Sequence, residues 1–220
     1  MCSIYGYHAS MNDMLRLIIA QQQKNLRSQF PIIYRDTKIL PVPRKATVII
    51  GIRRSGKSTW QHEKMESLLD EGVDAENICY IDFSDDRLDF LRLDGSDPAV
   101  ITDTFYGMYP QKHKERVYFF FDELQYVNRW AQFVNRIQTT QFCEVYITGS
   151  SAKLLSKEIA TELGGRTFAW EMFPFSFKEF LRANGKPQAI TDIASRDAVI
   201  GAFDSYVELG GMPERLVLPK

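Results

Sequence analysis

Residues 46–58 read ATVIIGIRRSGKS, a β-branched apolar run followed directly by the pattern G-x-x-x-x-G-K-[ST] over 51–58. A strand that turns sharply into the start of a helix aims several backbone N–H groups at one point, where they and the helix dipole hold an anion. In this context the pattern predicts a phosphate-binding loop, or P-loop. The predicted nucleotide-binding residues are Gly51, Arg53, Arg54, Ser55, Gly56, Lys57, Ser58 and Thr59.

Each part of the loop has an expected task. Gly56 lets the backbone approach the phosphates without a Cβ in the way. Lys57 is expected to reach the β- and γ-phosphates, and the Ser58 hydroxyl is placed to bind Mg²⁺. Arg53 and Arg54 are candidates for phosphate contact, although the mechanism requires only their backbone N–H groups. The predicted ligands are therefore ATP and Mg²⁺.

A second motif follows the apolar run 117–121, where Asp122 and Glu123 stand side by side. Ligands of α/β sheets bind at the carboxyl ends of the strands, which is where this acidic pair is expected. Asp122 is then the candidate Mg²⁺ ligand through a water, and Glu123 the candidate base that polarises the attacking water. The competing interpretation is an acidic helix cap. The next apolar strand ends in ITGSS at 147–151, so Thr148, or as second choice Ser150, is the candidate contact to the γ-phosphate.

The order of apolar segments predicts an α/β fold, a three-layer P-loop NTPase with a mainly parallel, five-stranded sheet. Strands are expected at 46–50, 78–83, 117–121, 144–147 and 167–172, with 84–97 as a loop. Helices are expected at 11–28, from 57 to about 70, at 98–109, around 130–137 and around 155–163. In the last helix Phe203, Tyr206 and Val207 should face the core. The strand at 78–83 lies between the two motifs, which is typical of P-loop ATPases with an added central strand and a catalytic Glu.

Composition limits the remaining classes. A formal net charge of −1 gives no overall basic field for sequence-independent nucleic-acid binding. No apolar stretch approaches the roughly 20 residues of a membrane span. The three cysteines have no metal-ligand spacing. These features predict a cytoplasmic protein that contacts no membrane.

Two other P-loop classes fit less well. A GTPase would carry Asn-Lys-x-Asp and an Asp-x-x-Gly after the acidic strand, whereas the chain reads DELQ at 122–125. A small-metabolite kinase usually lacks the Asp-Glu pair. ATP hydrolysis is the leading hypothesis, and a nucleotide-gated binding module with negligible turnover is the alternative.

Six motifs in order resemble the prokaryotic predicted ATPases of the AAA+ superfamily that carry a C-terminal domain of unknown function. They are GIRRSGKS at 51–58, FDELQ at 121–125, ITGSS at 147–151, GGR at 164–166, PFSFKEF at 174–180 and GGMPE at 210–214. The resemblance implies that Thr148 or Ser150 is the sensor and that Arg166 is an arginine finger. The PFSFKEF segment would be structural.

The organisation expected from the chain is a helical extension at 1–39, an ATPase domain at 40–172 and a helical segment at 173–220. The resemblance implies that this segment leads into a C-terminal domain absent from this chain. Any nucleic-acid contact or DNA-linked defence role would belong to that absent part. Fingers of this superfamily often come from a neighbouring subunit, so a homo-oligomer is expected, together with a protein partner that the sequence does not identify. Whether Arg166 acts within its own chain or across subunits stays open.

Overall fold

The computed structural model describes residues 3–27, 33–93, 95–150 and 164–217. These residues form one sheet of five strands: β1 Ala46–Gly51, β2 Ile78–Asp82, β3 Val117–Asp122, β4 Cys143–Ser150 and β5 Thr167–Glu171. The spatial order is β2-β3-β4-β1-β5, and every neighbouring pair is parallel. Within the described part, the α-helices are α1 Ser3–Gln23, α2 Lys57–Asp70, α3 Asp89–Leu93, α4 Ala99–Met108, α5 Trp130–Thr140, α6 Phe177–Ala183, α7 Ile193–Leu209 and α8 Glu214–Val217.

Helices cover both faces of the sheet and make it the middle of three layers. Alternate side chains of a strand point to opposite faces, so Phe119 and Phe121 join the cluster with α1, α4 and α5, whereas Phe120 joins the cluster with α2. Burial on both faces explains why the strands are almost continuously apolar. The predicted three-layer α/β P-loop architecture is confirmed.

Two predicted elements differ from the structure. The first helix runs over Ser3–Gln23 rather than 11–28 and buries Leu15, Ile18 and Ile19 in the same cluster as the sheet. The prediction of a loop over 84–97 was wrong, because it contains a 3-10 turn at Asp86–Leu88 followed by α3. Leu88 and Leu91 are fully buried there, a pattern that the surrounding charged residues conceal in the sequence.

The segment after β5 forms a small cluster of its own. Helix α6 begins with a capping box in which Ser176 and Glu179 satisfy each other's backbone N–H groups. Tyr206 packs against Phe177 and Phe180, as predicted for a core-facing residue. For Val207, which is 68% exposed, the prediction was wrong, whereas Phe203 is half covered: its ring packs edge-on against Phe177 but the residue stays 50% exposed.

Two expectations are not tested by this fold. The helix expected around 155–163 lies outside the described residues. The domain boundaries at 39/40 and 172/173 stay predictions. In the described part of the chain, no helix combines the length and the apolar character needed to cross a bilayer.

The central strand β3 provides a stability test. Phe120 is fully buried and its ring stacks on Tyr146, with centroids 4.6 Å apart. We expect Phe120→Ala to lower the free energy of unfolding by about 3–5 kcal/mol, through lost burial and the cavity left behind. Val207→Ala is the control, with an expected change within about 0.5 kcal/mol. Chemical denaturation measures both, and equal losses would contradict the core assignment.

Candidate nucleotide-binding site

The loop between β1 and α2 has the tight backbone that a phosphate cradle needs. A Cβ on Gly51 would lie 2.3 Å from the Met172 carbonyl oxygen, so only glycine fits there. Gly56 has φ 99°, in the left-handed region, and immediately precedes α2. The spacing of the two glycines in the motif therefore has a steric cause at each end of the loop.

Lys57 opens α2 and its side chain folds back over the loop. The residue is 4% exposed, and Nζ donates hydrogen bonds to the carbonyl oxygens of Gly51, at 3.2 Å, and Ile52, at 3.0 Å. These bonds hold a positive charge at the mouth of the loop, where phosphates are expected. Ser55 Oγ is buried in the same loop and has no hydrogen-bond partner among the described residues.

The acidic pair lies at the carboxyl end of β3, as predicted. Asp122 is buried, Thr148 donates to its Oδ1, and the Tyr80 hydroxyl donates to its Oδ2 at 3.2 Å. Burial raises the pKa of the Asp122 carboxyl above its ordinary value, and hydrogen bonds from Ser58 and Thr148 oppose that rise. The hydrogen bond from Ser58 places this residue, in the first turn of α2, beside the Asp122 carboxylate.

Glu123 follows in a left-handed backbone conformation, with φ 53° and ψ 38°. Its N–H donates to Thr148 Oγ1 at 3.1 Å, and its carboxylate accepts a hydrogen bond from the Gln125 amide. The fully buried Thr148 thus bridges both acidic residues, donating to one and accepting from the other. Ser150 lies at the end of β4, opposite Gly51 in the register.

Other candidates of the loop are more exposed. Ser58, Thr59 and Arg53 are exposed. Arg54 forms a surface ion pair with Glu214 at 3.0 Å, which joins the loop to the GGMPE segment.

Arg166 lies far from this loop in its own chain. Its carbonyl oxygen accepts a hydrogen bond from Ala46 N at 2.8 Å, so it stands beside the first residue of β1. Its side chain contacts Asn135 of α5. The P-loop begins at Gly51, the other end of β1. At the usual rise per strand residue, Gly51 lies about 17 Å from Ala46. That distance exceeds the reach of an arginine side chain, so the structure does not bring Arg166 to the loop of its own chain.

Sequence reasoning missed Tyr80 and Glu214 as parts of this site. Tyr80 stands two residues before Asp82, which is opposite Asp122 in the parallel register. It therefore shares a sheet face with Asp82, and its length carries the hydroxyl forward to Asp122. A tyrosine an even number of residues before Asp82 lies on the same face of the sheet. That spacing could have identified Tyr80 from the sequence. For Glu214 there was none, because its pairing depends on how the C-terminal segment folds back.

The fold and this loop define a P-loop nucleotide-binding domain of the ATPase type. A family model described as AAA domain matches residues 43–181. The chain therefore belongs to the AAA domain family, and the resemblance to prokaryotic AAA+ ATPases is confirmed for this part. The C-terminal domain of unknown function stays a prediction.

Two curated relatives are uncharacterized proteins. The one from Methanocaldococcus jannaschii is 34% identical over 184 residues, covering 83% of this chain and 39% of the relative. The one from Haemophilus influenzae is 34% identical over 185 residues, covering 83% of this chain and 41% of the relative. The chain thus spans about two fifths of the length of these relatives.

Among solved structures, C. elegans PCH-2 is similar with a TM-score of 0.43 and 12% identity, over 81% of this chain and 43% of that one. Cdc6p from Pyrobaculum aerophilum gives a TM-score of 0.40 and 13% identity, over 79% of this chain and 47% of that one.

Binding is tested through Lys57. A ligand that binds only the folded state at a hundred times its Kd stabilises by about 2.7 kcal/mol, which raises Tm by roughly 5–10 °C in a chain of this size. We expect ATP or ADP with Mg²⁺ to produce this shift in a thermal melt, and Lys57→Ala to remove most of it. Lys64→Ala, on the same helix, should keep the shift. No effect of nucleotide on the wild type would contradict binding.

Proposed function

We propose that this domain hydrolyses ATP to ADP and phosphate with the help of Mg²⁺ and that hydrolysis drives a change of conformation. The single observation that carries the proposal is the bridge from Thr148 to Asp122 and Glu123, next to the P-loop. A domain that only binds nucleotide has no need of a second acidic residue held in a left-handed conformation, a backbone arrangement that costs about 1–2 kcal/mol for a non-glycine residue.

The residues fit a magnesium–nucleotide complex. Gly56 adopts the left-handed backbone that the turn into α2 requires, and the Lys57 ammonium supplies positive charge. Ser58 and Asp122 would hold Mg²⁺, a cation that prefers a few protein oxygens together with phosphate oxygens and waters. When bound, the ion neutralises charge that develops on the phosphates. Within the described residues there is no cluster of three or more His, Cys, Asp and Glu placed to form an all-protein metal cage.

In the proposed reaction a water attacks the γ-phosphorus as the bond to the β–γ bridging oxygen breaks. Glu123 orients this water and accepts its proton, while Gln125 and the Thr148 hydroxyl fix where Glu123 stands. Thr148 Oγ1 also donates a hydrogen bond to Asp122, so one hydroxyl positions both acidic residues. Lys57 stabilises negative charge on the β- and γ-phosphates.

The preference for ATP rests on family membership and on the missing guanine-binding run. In the thermal melt described above, a larger shift with GTP than with ATP would contradict this preference.

Hydrolysis is tested at Glu123. Glu123→Gln keeps the shape of the side chain but removes the negative charge that polarises water. We therefore expect ATP affinity close to wild type and turnover lower by about 10²-fold or more. Glu144→Gln is the control, because Glu144 pairs with Arg116 at the surface. Release of phosphate gives the rate and calorimetry gives the affinity.

Two outcomes would change the assignment. Wild-type turnover in Glu123→Gln would mean either that another residue is the base or that Glu123 is a helix cap. ATP binding without measurable hydrolysis in the wild type would favour the alternative of a nucleotide-gated binding module.

We also propose that Arg166 completes the site of a neighbouring subunit. Its position at the opposite end of β1 from the loop supports a role across subunits. An arginine that stabilises the charge on the transferring phosphoryl group accelerates hydrolysis by about 10³–10⁵-fold. Such an arrangement makes the specific activity depend on assembly.

We therefore expect specific ATPase activity to rise with protein concentration, and Arg166→Ala to abolish the rise while nucleotide binding stays nearly intact. A mixture of Arg166→Ala and Glu123→Gln proteins should recover activity, because one intact site forms between the two variants. Turnover independent of concentration, with no recovery in the mixture, would contradict the assembly.

A further inference from the structure

Arg35 lies in the irregular segment before β1, to which the sequence assigns no role, and its side chain is only 13% exposed. Its guanidinium joins three parts of the chain. Nη1 donates to the Ser55 carbonyl at 3.1 Å, and Nη2 donates to the Phe173 carbonyl at 2.7 Å. Nε donates to Glu179 Oε1 at 2.9 Å. The guanidinium carbon also lies 4.9 Å from the centre of the Phe175 ring.

The contact with Ser55 bears on the direction of a loop N–H group. A trans peptide unit carries its C=O and the following N–H on opposite sides. Because Arg35 holds the Ser55 carbonyl, the N–H of Gly56 points away from Arg35. P-loop anion sites are built from such N–H groups directed at one point. Arg35 therefore fixes one donor of the cradle from outside the cradle.

Glu179 in turn fixes Arg35. Its Oε1 also accepts from Asp36 N at 2.8 Å, and its Oε2 accepts from Ser176 N at 2.8 Å. Burial alone would raise the pKa of the Glu179 carboxyl, but these donors and the Arg35 charge hold it below its usual value. Removal of one partner from such a little-exposed, hydrogen-bonded ion pair is costly, because it leaves the other charge uncompensated.

We infer that Arg35 is a positioning residue of the phosphate-binding loop, held in place by Glu179 at the start of α6. The inference rests on the proposed nucleotide site. It assigns the PFSFKEF segment a task beyond packing: through Glu179 and Arg35, the position of α6 sets the geometry of the loop. A displacement of α6 then changes phosphate affinity, and bound phosphate resists that displacement.

The test compares ADP with AMP, because only ADP carries the β-phosphate that the loop binds. Arg35→Lys keeps the positive charge but lacks the planar fork that reaches Glu179 and Ser55 together. We expect the Kd for ADP to rise about tenfold or more, as for loss of one charged hydrogen bond, with little change for AMP. Calorimetry below the melting temperature of each variant gives both constants.

Arg182→Lys is the matched control. Arg182 lies on α6, as Glu179 does. It binds the segment around Arg35 to that helix, through the Asp36 carboxylate and the Tyr34 carbonyl. Both variants should lower Tm, but only Arg35→Lys should change the ratio of ADP to AMP affinity. If the ratio is unchanged in Arg35→Lys, or falls equally in Arg182→Lys, Arg35 is a structural tie and the inference is wrong.

A second variant covers the case in which Arg35→Lys does not fold. Glu179→Gln retains the shape of the side chain and releases Arg35 only in part, so the ratio should fall in the same direction by a smaller factor. An unchanged ratio there overturns the role of Glu179. Absence of ADP binding by the wild-type protein would instead contradict the proposed function itself.

Discussion

The parallel register of β3, β4 and β1 is the constraint on which the site depends. Side-by-side strands that run in one direction end at one edge, so Gly51 stands beside Ser150 and Phe121 stands beside Ile147. The loop after β1 and the acidic pair after β3 therefore meet across the end of β4. Thr148 belongs to the strand between them, which explains how one hydroxyl can reach both acidic residues. An order that placed β3 and β1 at opposite edges of the sheet would separate these groups.

Burial then makes each charge near this edge dependent on its partners. An unpaired buried carboxylate is costly, and Asp122 is stabilised by three hydroxyl groups from three different elements. One of them, Tyr80, keeps its proton because burial and the nearby Asp122 charge raise the pKa of its hydroxyl far above the ordinary value. Glu179 is satisfied in the same way by backbone N–H groups and Arg35. Two buried carboxylates thus fix the two sides of the loop through different networks.

The sequence was sufficient wherever the determinant is local. Strand positions follow from apolar runs, and the two glycines of the loop follow from a fixed motif spacing, although the clash that requires Gly51 comes from the distant Met172 carbonyl. Contacts between residues far apart in the sequence could not be predicted. Arg35 and Glu179 are 144 residues apart, and no sequence pattern around either residue indicates that they pair. The orientation of α7 was mispredicted for a related reason. Helical spacing identifies an apolar stripe, but only the neighbouring helix decides which part of it is covered: Val207 falls outside that contact, and Phe203 lies at its edge, against Phe177 but half exposed.

Trp60 stands one turn into α2, and its backbone N–H donates to the Gly56 carbonyl at 3.0 Å. Its indole is almost entirely buried, with its ring centre 6.1 Å from that of Tyr146 on β4. The backbone that forms the phosphate cradle is therefore directly continuous with a chromophore whose emission depends on its surroundings. The chain has only two other tryptophans, Trp130 and Trp170. Intrinsic fluorescence therefore includes a contribution from the helix that closes this loop, and movement between α2 and the sheet alters it without any attached label.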